Sequence, residues 1–424
     1  MRVAAANVWP RKRLKYAVSL RRTRVNGADD ERPYVGLEQI ESGTGRLVPT
    51  ASAVESAKDT PTAAGESLSN TFEPGDVLFG KLRPYLAKAW IAEFAGRCTT
   101  ELVVMQPTDF DARFLRYVCL SRDFVDAVDA STFGSKMPRA DWDFIGNMPV
   151  PLPTLRRQRV VADYLDRETA RLDGLVAAKE CVLGLVAEKR RALITRAVTR
   201  GLDPRAPLRD SAIPWLGEIP AHWSSKQLKR CAAVIDCKHR TVPFTSEGIP
   251  LASIREVQSW EVDLTSAKMT TEEEYLLMIE GDRDPRPGDV IVSRNATVGA
   301  AALVPPDRAQ FCMGQDVSLV RPGAKLEPAF LNWLFRSDCV ANQITSASIG
   351  ATFFRINVEQ IKALLIPLPP LGEQRTIVRV VGSEMSKLDA LRAATERTIA
   401  LLKERRTALI AAAVTGRLHI PEAV

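Results

Sequence analysis

The side chains of this sequence best suited to chemistry are arginines, lysines and asparagines gathered in short polar loops. Two of these loops follow the same tripeptide. After Pro74-Gly75-Asp76 come Lys81, Arg83 and Tyr85, and after Pro287-Gly288-Asp289 come Arg294, Asn295 and Thr297. A second pair follows a glycine in each half: Ser135, Lys136 and Arg139 after Gly134 face Ala351, Thr352 and Arg355 after Gly350. A further basic stretch is Lys238, His239, Arg240 and Thr241. Arginine and asparagine suit bidentate contacts to guanine and adenine edges, while lysine and threonine often hold phosphates, so these are the side chains that would serve if the chain binds nucleic acid. The bland alternative for each cluster is a solvated loop. Asp141 and Asn357, just past the second loops, are expected to cap the helices that follow.

Catalytic constellations are missing. The sequence has no G-x-x-x-x-G-K-[ST] phosphate loop, no G-x-G-x-x-G opening a helix, no H-E-x-x-H and no G-x-S-x-G. Its three histidines, His222, His239 and His419, have no counterparts in the other half, which leaves imidazole chemistry few candidates. Glu272, Glu273 and Glu274 read as a solvated helix face. The seven cysteines are scattered and odd in number, which fits free thiols in a reducing compartment. Cys231, Cys237 and His239 form the one tight group, but they lack a C-x₂₋₄-C pair and a second ligand pair, so no metal site is expected. A binding protein is favoured over a catalyst.

The elements that must position these loops are duplicated. PLPTLRRQR from Pro151 returns as PLPPLGEQR from Pro367, and EKRRALITRAVTRGL from Glu188 returns as ERRTALIAAAVTGRL from Glu404, both at an offset of 216 residues. Phe114 and Phe330, Gly134 and Gly350, and Arg139 and Arg355 keep that register. Upstream the match loosens: PGDVLFGKLRP faces PGDVIVSRNAT at 213 and Trp9 faces Trp223 at 214, as small insertions would produce.

Within 155–200 there is no proline, and Leu165, Leu172, Val186 and Leu193 fall on one seven-residue register that Lys179 interrupts. The second copy places Val381, Leu388, Thr395, Leu402 and Leu409 there. The spacing predicts two long helices, each about 60 Å if about 40 residues long, whose apolar stripes pack as an antiparallel coiled coil with a pseudo-twofold internal repeat. The Pro-x-Pro segments before them read as rigid extended leads. The variable segments hold short β-type runs (76–79, 102–105, 289–292, 317–320) and short helices (114–128, 330–344), as in mixed α/β domains. The expected organisation is an α/β domain over 1–150, a helix over 151–200, a proline-rich linker over 201–220, a second α/β domain over 221–366, a helix over 367–416 and a tail over 417–424.

Composition agrees with a folded, non-membrane chain. The 424 residues are 46% hydrophobic and 26% charged, with a net charge of +7. No apolar run reaches the roughly 18–20 residues of a membrane span, and the apolar stretch before Pro10 is too short for a secretion signal, so a cytoplasmic protein is expected. The charge lies in the helices. Residues 1–150 carry 20 basic and 19 acidic side chains and 211–366 carry 16 and 18, whereas 151–210 carry 13 and 8 and 367–424 carry 9 and 6. If the chain binds DNA, affinity must therefore rest on local loops plus partner subunits, and weak binding by the chain alone is expected.

The repeated segments make this sequence resemble the specificity subunit of type I restriction-modification systems. The residues responsible are PLPTLRRQR with Asp163-Tyr164-Leu165, PLPPLGEQR, the helix ends EKRRALITRAVTRGLDP and ERRTALIAAAVTGRL, and DSAIPWLGEIPAHW between the halves. The resemblance spans nearly the whole chain. It implies a non-catalytic adaptor in which two target-recognition domains each read one half of a bipartite, asymmetric DNA target, while the helices set the spacer. It implies as partners double-stranded DNA, two methyltransferase subunits and translocating restriction subunits. Cofactors (S-adenosylmethionine, ATP and Mg) would reside in those partners and none in this chain. It also implies partner contacts at Gln158, Arg159, Gln374 and Arg375. The family usually has Glu before the Gln of the proline-rich lead; the second copy keeps it as Glu373, whereas the first has Arg157, a departure that would weaken a partner contact there. The alternatives are a fused restriction-methylation enzyme, which needs a cofactor loop and an N-P-P-Y-like tetrapeptide that are both missing, and a scaffold that does not bind DNA.

Overall fold

The computed structural model describes residues 9–26, 30–48, 68–134, 137–347 and 355–421. The chain forms two compact units, each assembled from separate stretches. Unit 1 comprises Met1–Glu180 with Glu396–Val424, and unit 2 comprises Cys181–Thr395.

Unit 1 is built on an antiparallel sheet in the order Val18–Leu20, Leu102–Pro107, Val77–Gly80, Ala89–Ile91. Its central strands are apolar over 77–79 and 102–105 because both faces are covered there. Val77 and Phe79 face a helical layer, while Leu78, Leu102 and Val104 face a second sheet made of Arg24–Asn26, Leu68–Phe72, Gly96–Cys98 and Tyr34–Val35. The helical layer holds α1 (Ala112–Leu120), α2 (Arg122–Ala130) and α3 (Trp142–Asn147). Asp111 caps α1 by accepting from the Arg113 and Phe114 amides, and Asp141 caps α3 as expected. The single helix expected over 114–128 is two, divided at Ser121, whose hydroxyl donates to the Val118 carbonyl at 2.7 Å and turns the chain.

The long helix α4 (Leu155–Arg200) runs from unit 1 into unit 2 and ends at Gly201, whose φ of +71° is the left-handed stop that glycine takes readily. The segment expected as a linker is folded. Leu208–Asp210 pairs with Glu218–Pro220, and Leu216 and Ile219 enter the unit 2 core.

Unit 2 repeats the layers. Its main sheet runs Ala232–Asp236, Val317–Pro322, Val290–Ser293, Ala301–Leu303, and its second sheet runs Met269–Thr270, Ile249–Ala252, Cys312–Met313. Helix α5 (Glu272–Ile279) flanks the second sheet, and α6 (Pro328–Phe335), α7 (Asp338–Ala347) and α8 (Val358–Ala363) form the helical layer. The expected helix over 330–344 is again two, divided at Ser337, which bonds the Leu334 carbonyl at 2.6 Å. Asn357 caps α8 in a box with Gln360. The second long helix is α9 (Leu371–Val414).

Within each unit the two long helices run antiparallel. In unit 1, Val161 and Leu165 share a core with Ile410, Ala413 and Val414, and Asp173 takes Arg406 at 2.9 Å. In unit 2, Val186, Ile194 and Val198 share a core with Ile377, Val381, Met385 and Leu388, and Arg190 pairs with Asp389. The extended leads are strands: Pro149–Pro151 pairs with Arg11–Arg13, and Leu365–Leu368 with Ser224–Gln227.

Candidate nucleic-acid interface

The two candidate loops of each half, some sixty residues apart in sequence, meet in space. In unit 1 the Lys81 amide donates to the Glu101 carbonyl (3.0 Å), the Ala140 amide donates to the Lys81 carbonyl (2.9 Å) and the Arg83 amide donates to the Pro138 carbonyl (2.8 Å). Leu82 bridges Arg139, which also pairs with Phe133. Unit 2 repeats the junction. The Arg294 amide donates to the Asp316 carbonyl (2.8 Å), the Ile356 amide to the Arg294 carbonyl (3.0 Å), and Asn295 bridges Arg355. Arg83 and Ala296, equivalent in the repeat, both take left-handed backbone, with φ of +52° and +56°. Such strain in a non-glycine residue at the same point of two loops marks a shape held by its surroundings.

The side chains on this common frame differ. In unit 1 Arg83, Tyr85, Phe133, Met137 and Arg139 are exposed, and Lys81 is half-buried. The Arg139 guanidinium is forked on Glu101, with Nε to Oε2 at 3.1 Å and Nη2 to Oε1 at 2.8 Å. In unit 2 Arg355 is exposed and held by Asp316 at 3.0 Å. Asn295 is half-buried; its side-chain oxygen accepts from the Ala296 amide at 2.9 Å. Thr297 is exposed, and its hydroxyl accepts from Gln258 at 2.7 Å. Ser135, Lys136, Ala351 and Thr352 lie outside the described residues.

Several expected readers are instead committed to the fold. Arg294 is 5% exposed; its guanidinium pairs with Asp236 and donates to the Ile356 carbonyl at 3.2 Å, so it braces the junction from below and presents nothing to DNA. Lys238 donates to the Leu277 carbonyl at 2.6 Å and pairs with Glu280, while Arg240 is forked on Glu274 at 2.8 and 2.9 Å. This basic stretch therefore fastens its loop to α5, and Glu274, expected on a solvated face, is its counterion. Asp236, Cys237 and His239 approach one another within 4.8 Å. The Asp236 carboxylate already serves Arg294, and burial pushes the Cys237 thiol up, away from the thiolate a metal needs. Cys231 lies apart in the main core of unit 2.

The glutamines of the proline-rich leads were expected at a partner surface, and the structure corrects that. Gln158 and Gln374 are both fully buried. Gln158 accepts from the Asp111 amide (2.8 Å) and donates to the Asp109 (3.0 Å) and Pro153 (2.9 Å) carbonyls. Gln374 accepts from the Glu327 amide (2.8 Å) and donates to the Lys325 and Pro369 carbonyls (both 2.9 Å). Each glutamine thus ties the start of a long helix to the start of a domain helix. Arg159 and Arg375 remain exposed, beside Asp111 and Glu327. The Arg157 departure is also internal: Glu373 accepts from His222 (2.9 Å) and the Trp223 indole (3.0 Å), whereas Arg157 lies over the Trp9 ring at 5.9 Å. An acceptor on the indole edge is exchanged for a cation on its face.

Sequence reasoning overlooked Glu101 and Asp316. A signal was present, since each acid stands immediately before the long strand of its main sheet, at equivalent points of the repeat.

Each of the two layered units presents a loop junction with an exposed arginine held by an acid. Residues 265–404 match the model of the type I restriction modification DNA specificity domain. The type I restriction enzyme EcoBI specificity subunit of Escherichia coli is 22% identical over 367 residues, covering 81% of this chain and 74% of its own. A chain solved in work on complex assembly and conformational transition of the type I R-M system superposes with a TM-score of 0.75 at 21% identity, covering 99% of this chain and all of that one. The HsdS subunit from Thermoanaerobacter tengcongensis gives 0.54 at 21% identity over 97% of this chain and 98% of its own. Along most of its length this chain is similar to type I restriction-modification specificity subunits, and it shares the fold of the solved ones. No helix among the described residues is long and apolar enough to cross a membrane.

Proposed function

We propose that each unit's α/β domain reads one half of a bipartite, asymmetric DNA target, and that the long helices set the spacer and dock two methyltransferase subunits. In this reading the chain supplies recognition and no catalysis. Methyl transfer with S-adenosylmethionine, and translocation with ATP and Mg, belong to the methyltransferase and restriction partners.

The observation that carries the reading is the repeated junction. Two of its backbone hydrogen bonds and its left-handed residue recur in both units, while Lys81, Leu82 and Arg83 are replaced by Arg294, Asn295 and Ala296. One frame with two sets of side chains suits two half-sites of unlike sequence. Docking is supported by Leu185, Leu391 and Leu401, large apolar side chains left exposed on the long helices.

The test is genome-wide mapping of methylated bases after co-expression with the methyltransferase subunit. Exchanging 1–150 for the equivalent domain of a relative is expected to change one half of the target alone; a change in both halves, or in neither, refutes the reading. A scaffold that does not bind DNA would leave sequence choice untouched by Arg139→Ala or Arg355→Ala.

A further inference from the structure

We propose that Glu101 and Asp316 are specificity-determining positioning residues, each orienting the arginine of its junction toward a guanine in its own half of the target. The inference rests on the DNA-reading role of both units and adds the residues that set which base edge the arginines accept.

The two acids do the same two things. The backbone carbonyl of each holds the first residue of the neighbouring loop, and the carboxylate of each holds the arginine of the other loop. The acids lie beneath, with side chains 19% and 28% exposed, and the arginines lie above, with side chains 45% and 47% exposed. A half-exposed ion pair adds little stability, so stability is a poor reason for it to recur at the same point of two otherwise different loops. Affinity is a worse one. A carboxylate at a DNA-facing surface repels phosphate and weakens binding to every sequence alike.

What the pair does supply is orientation. Glu101 takes the Nε and Nη2 edge of Arg139, which leaves Nη1 and the second Nη2 proton as a parallel pair of donors directed away from the acid. Two parallel donors match the N7 and O6 acceptors of guanine in the major groove, and adenine, with an amino group in place of O6, answers only one of them. Released from Glu101, the same guanidinium can rotate to satisfy phosphates and other bases. Asp316 holds Arg355 by a single contact, Nη2 to Oδ1 at 3.0 Å.

The experiment uses the chain assembled with its methyltransferase subunits. Binding is measured to the mapped target, to duplexes changed at each G·C pair in turn, and to unrelated DNA. Glu101→Gln is expected to reduce discrimination at one G·C pair of one half-site by about tenfold, the loss of a bidentate base contact, while binding to unrelated DNA tightens because a negative charge has gone. Asp316→Asn should do the same in the other half-site alone. A brace with a purely structural role would weaken target and unrelated DNA equally and lower the melting temperature, and that result overturns the proposal. So does unchanged discrimination in Glu101→Gln when Arg139→Lys abolishes it. If Arg139→Lys also leaves every position of the target read as before, Arg139 is no base reader, and the positioning proposal falls with it.

Discussion

Replacing Gln158 by leucine should loosen unit 1 at the point where its long helix begins. The side chain is fully buried and makes three hydrogen bonds of 2.8–3.0 Å to main-chain groups of 109, 111 and 153. Leucine fills similar space but leaves one amide and two carbonyls without that partner. A hydrogen bond contributes about 1 kcal/mol net, and a group left buried and unpaired costs about 1–3 kcal/mol. The Pro153 contact is buried and the other two are partly so. The loss is therefore about 3–5 kcal/mol. In a unit of roughly two hundred residues this lowers the melting temperature by about 10 °C. Calorimetry reads the drop, and hydrogen exchange at the Asp111 amide locates it. Gln374→Leu repeats the experiment in unit 2, with the Glu327 amide as reporter. A change below about 2 °C, or unaltered exchange at Asp111, would show that the clamp is dispensable and refute the reasoning.

Other outcomes can be checked on the same material. Arg294→Met should lower the stability of unit 2 by about 1–3 kcal/mol in urea unfolding, because it removes a buried guanidinium that ties Asp236 to the Ile356 carbonyl and leaves Asp236 with His239, yet leave the methylated sequence unchanged; an altered half-site would restore Arg294 as a reader. Asp289→Asn should cost about 3 kcal/mol, since this buried carboxylate takes Arg321 at 2.9 Å and the Arg286 amide at 2.8 Å; urea unfolding with no loss would refute it. Among the seven free cysteines only Cys181 is exposed, so a maleimide at pH 8 should label one site rapidly by mass spectrometry. Burial pushes Cys98 up to about 12 and Cys312 and Cys339 up to about 11. Above pH 9 the unfolded thiols lose protons that the folded ones keep, so stability in urea should fall between pH 9 and 11; a flat profile there would contradict this burial.

The repeat made most of the architecture legible. A shared offset located both long helices, both apolar central strands and both helix caps, because periodicity and capping are local signals. Tertiary partners were harder to foresee. Arg294 sits at the position of Lys81, and only the approach of Asp236 from another strand turns it from a candidate reader into a buried brace. Lys238 and Arg240 looked free because Glu280 and Glu274 lie more than thirty residues away in sequence. Gln158 and Gln374 were noticed for the right reason, their repetition, but a glutamine's amide serves a surface and a buried clamp equally well, and burial decides between them. Ser121 and Ser337 divide helices whose hydrophobic spacing alone reads as continuous.

The discontinuity of unit 1 bears on how the protein is made. Ile410, Ala413, Val414 and Ile420 belong to the same core as Leu14, Phe114 and Leu165. The core of unit 1 therefore waits for residues 410–420 before it is filled, whereas unit 2, drawn from 181–395, has all its parts earlier. The second unit can mature first, reversing the usual order of emergence. A nascent first unit meanwhile exposes the apolar stripe around Val161 and Leu165, a temporary surface for a chaperone or for the tail of a neighbouring chain. Exchange of that tail between two copies is the misassembly to which such a chain is most open.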